Sequence, residues 1–531
     1  STEDFDVQIL NRGDIEGSIR TGAGDDFLYN AVQTDENGYL VGAGTMTLTD
    51  DKIDLGEGEN IFRNVFGDIL FSGDNVIELG SGRMDNYSSG ESYVTISSIN
   101  GDAGDTLTIN GDVNFTTIQG KNGLFLIDVS NTAHDKVVIN GDLTVSATNN
   151  AGTSTTPSSL GVAMNVLEQG KGEITTGAVI DVNGNSDMGD VVLTAIGGDF
   201  ADTIVNAEMQ QNGNGDWVIA YTAGLSHLGA AASSVSHLAE SFWQRSASAI
   251  FAGERSANAS ENGRGEGLSA WSTAFHTDSD IDSKGDIAGQ SLGFTQLISG
   301  QIAGATYATK LGDSWLSISP MVGLGSADGS QLQQQSSAAL DTETFALNGS
   351  WSMSDFYVNA MVQNMEFDAH VKSYDSGAMT SGKAFGASFE GGWTYLMESG
   401  IAMTSFAQWS DVKVEIDDFT SSDGNYDYAY NLGSTSRTSV GLNLSKSYSL
   451  KDGFAVPYAT FNLANSSNHD AHDLHSNGVS FNSDVSGSEF GIDLGVDGKY
   501  KQWTFKTGVG IYDGEVDKNG LNARFSVYRS L

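Results

Sequence analysis

The sequence predicts an all-β protein in three parts: a parallel β-helix, a pore-spanning α-helix, and a 12-stranded antiparallel outer-membrane β-barrel. The C-terminal half carries the strongest signal. Phe345, Leu347, Gly349 and Trp351 alternate with Ala346, Asn348 and Ser350. Val440, Leu442 and Leu444 alternate with Gly441, Asn443 and Ser445, and Phe490, Ile492, Leu494 and Val496 with Glu489, Gly491, Asp493 and Gly495. Such alternation gives a strand one apolar and one polar face. Short turns at 353–355, 397–400 and 451–453 take turns with long acidic loops. Apolar-outward strands joined in this way are the pattern of a barrel in an outer membrane. No run of 18 apolar residues reads as a transmembrane helix, and barrel strands need none.

Composition narrows the chemistry. A length of 531 residues predicts two or more domains. The chain carries 25 Lys and Arg against 68 Asp and Glu, which excludes a nucleic acid held through its phosphates. There is no cysteine, so disulfide, zinc-thiolate and cysteine-nucleophile chemistry are excluded. A chain without disulfides also passes more easily through a pore while unfolded. With 66 Gly, only 3 Pro and many Asn, Asp, Ser and Thr, many short strands joined by tight turns are expected. Residue 1 opens on Ser-Thr-Glu-Asp with no charged or apolar leader segment, so a signal peptide is expected either to have been removed or to lie outside this sequence, with further passenger upstream as an open alternative.

Residues 1–205 read as the β-helix. Short runs such as Val137-Val138-Ile139 and Leu143-Thr144-Val145 are separated by Gly/Asn/Asp turns. Ile-Asn-Gly-Asp recurs at 99–102, 109–112 and 139–142, and Val182-Asn183-Gly184-Asn185 echoes it. Recurring strand–turn units suit a solenoid of stacked coils, with a β-sandwich as the alternative. The segment from Thr21 to Phe27 resembles half of a calcium-binding nonapeptide, but in a single copy it reads as a turn. Residues 206–222 form a turn and a strand, with Trp217 as anchor, that would cap the last coil and cover its open edge.

Residues 223–267 read as the pore helix and a linker. Leu225, Leu228, Val235, Leu238 and Phe242 follow helical spacing in an Ala- and Ser-rich background over 223–252. Roughly 30 residues at 1.5 Å each make about 45 Å, close to the thickness of a bilayer with its headgroups. A helix this polar belongs in a polar lumen rather than in lipid. Residues 268–531 are the barrel. Strands begin near Leu268, Ser291, Leu316, Leu340, Phe356, Ala384, Ile401, Arg437, Phe454, Glu489, Trp503 and Leu521. Long loops are expected near 278–290, 326–340, 372–383, 417–436, 465–487 and 515–520. An even strand number puts both barrel ends on the short-turn, periplasmic side, so the helix must thread the lumen if the N-terminal region is outside.

In this order of parts the chain resembles the monomeric autotransporters of type V secretion. The resemblance is architectural and covers the whole chain: a β-helical passenger, a Gly-x-Trp cap at Gly215-Asp216-Trp217, a pore helix and a C-terminal barrel. It implies a barrel that anchors the chain and helps carry its own passenger to the surface. Outer-membrane lipids and the barrel-assembly machinery are the implied partners; no cofactor is implied. The C-terminal signal read by that machinery falls on Phe525, Val527, Tyr528 and Leu531. The last residue is not the usual aromatic one, and Arg529 shares the lipid side. Relatives that cut themselves inside the barrel often do so at paired asparagines. No Asn-Asn pair occurs between 223 and 267, so no cleavage site is carried over.

Other motifs are weaker. Gly289-Gln290-Ser291-Leu292-Gly293 matches a hydrolase nucleophile pattern but sits where a loop enters a strand, not at a strand–turn–helix elbow. Leu311-Gly312-Asp313-Ser314-Trp315 falls in a short turn. Asp278, Asp280, Asp282 and Asp286 resemble a calcium loop that lacks the sixth-position Gly and twelfth-position Glu, and a solvated acidic loop is the plainer reading. His469, His472 and His475, with Asp470 and Asp473, are the densest metal-ligand cluster, although zinc needs three or four such groups to converge. Tyr426, Tyr428 and Tyr430 form either a recognition surface or a folded loop. His134 is the single histidine of 1–205, and no G-x-S-x-G accompanies it, so the passenger reads as non-enzymatic. An adhesin-like module for a host or neighbouring-cell ligand is the leading reading. A carrier of an upstream secreted enzyme and a helix-plugged porin are the competitors.

Overall fold

The computed structural model describes residues 5–531 except 35, 37–39, 43, 91–93, 100, 121–122, 149–153, 156–158, 188–189, 259–265, 285–292, 332–334, 432 and 470–471. Its contacts divide it into two units, Ser1–Gly224 and Leu225–Leu531.

In the first unit, successive strands alternate between two sheets whose neighbours pair mainly in parallel. One sheet runs through Gln8–Asn11, Phe27–Ala31, Ile61–Val65, Asp74–Gly90 and Thr106–Gly120. The other runs through Asp14–Glu16, Thr45–Thr49, Asp68–Ser72, Thr95–Ser98, Leu124–Val129, Ser159–Val166 and Asp190–Gly197. Inward residues stack in register from coil to coil. Leu28, Phe62, Met84, Val113 and Leu143 make one fully buried column. A second column is polar. Asn11 donates to Asn30 (2.8 Å), Asn30 to Asn64 (2.9 Å) and Asn64 to Asn86 (3.5 Å). Buried amides are tolerated here because each is satisfied by its neighbour.

The sequence recurrence has the same cause. Ile109, Ile139 and Val182 are register partners, Asn140 Nδ2 donates to Asn110 Oδ1 (2.6 Å), and Asn183 Nδ2 donates to Asn140 Oδ1 (2.7 Å). Glycine follows because the coils touch: a Cβ on Gly141 would run into the Gly111 carbonyl, and one on Gly184 into the Gly141 carbonyl. Ile99, where another copy starts, lies just past the strand Thr95–Ser98, and Asn100 lies outside the described residues. At the C-terminal end, Ile204–Gln211 and Trp217–Ala223 form an antiparallel hairpin, and the second strand also pairs antiparallel with Gly172–Thr175. Ile219 and Ala223 are fully buried, and Trp217 is partly buried against the same core.

The second unit is one helix and a closed barrel. Helix α1 is His227–Asn258. The strands are β1 Gly267–Ile281, β2 Phe294–Leu311, β3 Ser314–Gln331, β4 Ser336–Met353, β5 Phe356–Lys372, β6 Gly377–Leu396, β7 Ile401–Ile416, β8 Gly433–Lys446, β9 Gly453–His469, β10 Gly487–Tyr500, β11 Trp503–Gly514 and β12 Asp517–Ser530. Each pairs antiparallel with the next, and β12 closes on β1, with Ser530 opposite Ser269 and Asp517 opposite Ile281.

Two expectations shift. The helix begins at His227 rather than 223, because Trp217–Ala223 remains a strand and Ser226 caps the helix by accepting from Gly229 N (3.0 Å). Leu225 therefore precedes the helix, buried, instead of lying on it. The strands also run on through 278–281 and through much of 326–340 and 372–383, so Asp278 and Asp280 lie on β1 and Asp282 just past it. The outward residues of β3 explain why. Leu316, Ile318, Val322 and Leu324 are exposed and apolar, and then Ser326, Asp328 and Ser330 occupy the same face. A strand that rises out of lipid keeps its ladder and loses only its apolar outer residues, so the end of the pattern is not the end of the strand. Beyond these strands, Phe419–Thr420, Asp427–Tyr430, His472–Ser476 and Val479–Ser483 form a separate antiparallel sheet on the long-loop side. Tyr428, Tyr430, His472 and His475 thus sit on strands rather than in open loops.

Candidate functional site: the occupied lumen

Alternation places polar side chains inside the barrel. Gln296, Ser319, Thr344, Asn359, Gln363, Ser388, Glu390 and Ser526 are all buried there. Helix α1 fills this space, lying against β1 to β7. At its start, Ser226 Oγ and Tyr428 Oη are 2.9 Å apart, Tyr430 Oη donates to Ala232 O (2.8 Å), and Gln331 Nε2 donates to Ala230 O (2.7 Å). Midway, Thr435 Oγ1 and Gln244 Nε2 donate to the two oxygens of Glu240 (2.9 Å each), and Trp243 Nε1 donates to Gln363 O (3.3 Å). Near its end, Arg255 pairs with Glu390, which also accepts from Tyr357 Oη (2.9 Å), and Lys506 donates to Gly253 O.

These contacts fix the direction of the helix. Tyr428 and Tyr430 belong to the long-loop sheet, whereas Tyr357 follows directly on the short turn at 354–355. The chain enters the lumen from the long-loop mouth and leaves at the short turns, where β1 begins at Gly267 opposite Ala308.

Size complementarity holds the apolar side. Phe242 meets Phe275 (centroids 5.6 Å apart) and occupies the space a Cβ on Gly325 would need. A Cβ on Gly386 would lie 2.7 Å from Trp243 Cζ2 and collide with the Asp411 carbonyl. The opposite side is held by charge. Arg245 Nη2 lies 2.6 Å from Asp517 Oδ2 and 3.3 Å from Glu489 Oε2, and the other Glu489 oxygen accepts from Arg437 (3.0 Å). The Arg245 guanidinium also lies 4.2 Å from the Tyr512 ring, as Arg255 does from Phe406. Around these arginines are small cavities of about 110, 40 and 40 Å³, lined by residues that include Arg437, Glu489, Asp493 and Arg524. The lumen is therefore packed on one wall and polar on the other, with the helix bridging both.

Residues 270–510 match the family model of the autotransporter beta-domain. This part of the chain is an autotransporter β-domain. The β-domain of the Bordetella autotransporter BrkA is similar at 13% identity, over 50% of this chain and 100% of that one, with a TM-score of 0.42. The translocator domain of NalP from Neisseria meningitidis is similar at 16% identity, over 54% and 98%, with a TM-score of 0.42. The transport unit of AIDA-I from Escherichia coli is similar at 14% identity, over 54% and 98%, with a TM-score of 0.38. No curated protein matches by sequence. The autotransporter β-domain sits in the outer membrane as a transport and anchoring domain. No helix among the described residues is long and apolar enough to cross a membrane; the β-domain crosses it with strands.

Leu228, Val235, Leu238 and Phe242 lie on α1, buried in the lumen of the β-domain. At the C-terminus, Phe525 and Leu531 are exposed, and Val527 shares the outer face of β12. Tyr528 points the other way: its ring stacks on Trp271 (5.9 Å) beneath Lys506 Nζ (4.6 Å). Arg529 is outward, its guanidinium 5.2 Å from the Trp503 ring. Trp217 belongs to the hairpin of the first unit. Asp280 accepts from Thr295 (3.0 Å) and Asn519 (3.2 Å), Asp282 pairs with Lys518 (2.5 Å), and Asp278 is exposed on β1. His475 is bonded to Asn431 (3.1 Å) and Ser480 (2.8 Å). The backbones of His469 and His472 pair with Ser434 and Ser483 in different sheets, and their side chains lie outside the described residues. Asp286, Asp470 and positions 289–292 also lie outside them. Among the described residues, no group of three or more His, Asp or Glu could hold a metal ion.

The sequence reading missed Trp243, Arg245, Arg255, Glu390, Glu489 and Lys506. A signal existed: the strand charges occupy inward phases of the alternation, and Arg245 and Arg255 are the only basic residues besides histidine on α1.

Proposed function

We propose that the β-domain and α1 form the export path and anchor for residues 1–224, and that this N-terminal unit is a non-enzymatic, adhesin-like module held at the cell surface. The observation that carries the reading is the direction of α1, which enters at the long-loop mouth and ends at the short turns. On this account the chain crosses as an unfolded segment, and α1 is the last piece to pass and the plug that remains. Coils that fold outside bury columns such as Leu28–Phe62–Met84, and each buried column opposes return. The hairpin bearing Trp217 crosses first if export runs from the C-terminal end of the passenger, so it is placed to start the stack. Phe525, Val527, Tyr528 and Leu531 would be read by the barrel-assembly machinery, and the apolar outer band would face lipid.

Protease treatment of intact cells tests this. Loss of residues 1–224 with the β-domain protected is the expected result. Protection of residues 1–224 until the outer membrane is opened would place them in the periplasm and end the proposal.

A further inference from the structure

The outer face of the first unit is not uniform. Comparable outward positions elsewhere hold small polar residues such as Thr45, Thr47, Thr106, Thr108 and Asn110, or aliphatic ones such as Leu70, Val76, Leu124 and Leu126. On three adjacent strands the same kind of position holds aromatic and arginine side chains instead. Phe27 and Tyr29 lie on one strand, Arg63 on the next opposite Tyr29, and Asp85 and Tyr87 on the third. The Phe27 and Tyr29 rings are near-parallel (19°, centroids 6.0 Å apart). Arg63 lies between the edges of the patch, its guanidinium 5.5 Å from Phe27 and 5.6 Å from Tyr87. Asp85 locks the polar part: it accepts from Arg83 Nε (3.1 Å) and Asn114 Nδ2 (3.0 Å) and lies 3.7 Å from Arg63 Nη2. Every backbone position involved is held in a parallel ladder, so the patch is rigid.

We propose that this face binds a neutral oligosaccharide, with sugar rings against Phe27, Tyr29 and Tyr87 and sugar hydroxyls meeting Arg83, Asn114 and the tyrosine hydroxyls. A pyranose carries an apolar C–H face edged by hydroxyls, and rigid aromatic rings interleaved with fixed polar groups complement it. Two quantities select this occupant. Three strands at about 4.8 Å and five residues at about 3.3 Å, with side chains, span roughly 15 Å by 15 Å. That is about a quarter of the roughly 800 Å² per partner that a stable protein interface needs. Charge selects against polyanions: Asp85 already neutralises part of the Arg63/Arg83 pair, and the whole chain carries −43. The inference deepens the binding-module reading, but its test uses purified protein and does not depend on surface display.

The full chain in lipid nanodiscs is titrated against cellohexaose, laminarihexaose, mannohexaose and chitohexaose, with a heparin hexasaccharide as the anionic probe. Saturable binding of at least one neutral probe, with Kd below about 1 mM, is expected. Tyr29→Ala and Tyr87→Ala should each weaken it by about tenfold. Tyr29→Phe should retain most of it, and Thr108→Ala, on an outward position away from the patch, should leave it unchanged. Unfolding curves identical to the parent's would establish that the tyrosine variants are folded. The proposal is overturned if no neutral probe binds, if both tyrosine variants bind as the parent does, or if heparin is preferred. It is equally overturned if the face instead mediates self-association that Tyr29→Ala abolishes.

Discussion

Replacing Arg245 by methionine keeps a long side chain in the lumen and removes its charge. In the parent, Arg245 touches two carboxylates, Glu489 at 3.3 Å and Asp517 at 2.6 Å, and none of the three side chains is more than 17% exposed. After substitution Glu489 keeps Arg437 at 3.0 Å, whereas Asp517 loses the cation it pairs with here. Stranding one partner of a buried pair costs about 3–5 kcal/mol, and with a single carboxylate stranded the lower figure applies. About 3 kcal/mol corresponds to roughly a hundredfold shift in the balance between helix in and helix out. Single-channel recording in planar bilayers reads that balance directly. The parent should be closed nearly all the time, and the variant's open fraction should rise by about two orders of magnitude. Arg245→Met with Asp517→Asn removes both charges and should return most of the closure, because a buried pair deleted whole costs far less than a pair broken. An unchanged open fraction in the single variant, or no recovery in the double, would refute the idea that charge holds the helix in place.

Three further outcomes follow from the same geometry. Gly386→Ala drives a methyl group toward Trp243 and the Asp411 carbonyl, and should lower β-domain stability by about 1–3 kcal/mol in heat-modifiability gels. Trp217→Glu places a carboxylate where an indole packs on the last coil, so it should destabilise that coil by about 2 kcal/mol and delay protease-accessible display. Asp135 is fully buried, and burial pushes its carboxyl up from 3.8 to about 6 although the N–H groups of Gly104, Asp105 and Asp128 oppose this. The folded state then binds the proton more tightly than the unfolded chain. The group's contribution is fully present below about pH 4 and is lost as pH rises to about 6, a change of about 3 kcal/mol. Denaturant unfolding of the first unit across that window should lose this slope in Asp135→Asn, and a carboxyl NMR titration should find the midpoint near 6.

The barrel was legible because each strand reports its own two faces. Leu316, Ile318, Val322 and Leu324 mark β3 whatever its neighbours do, and twelve such runs can be counted. The strand ends were not legible, because Ser326, Asp328 and Ser330 continue the ladder above the apolar band with residues that read as loop. In the first unit the Asn-Gly recurrence marked a real stack through Asn110, Asn140 and Asn183. The lumen was the least legible part. That Arg245 meets Glu489 and Asp517, more than 240 positions away, depends on barrel closure and helix rotation, and neither is a local property of the sequence. Tyr528, part of the C-terminal signal that the resemblance implies, faces Trp271 and Lys506 because it is even in phase where Phe525 and Val527 are odd.

The chain has no cysteine, so single cysteines report the side of the membrane on which each part lies. Single cysteines at Thr132→Cys in the first unit, Asp423→Cys beside the long-loop sheet and Ser354→Cys in a short turn can be challenged on intact cells with a membrane-impermeant maleimide. Labelling is expected at 132 and 423, and at 354 only after the outer membrane is opened. Labelling at 354 with protection at 423 would invert the β-domain. Labelling at 423 with protection at 132 would leave the N-terminal unit inside and contradict export through this barrel.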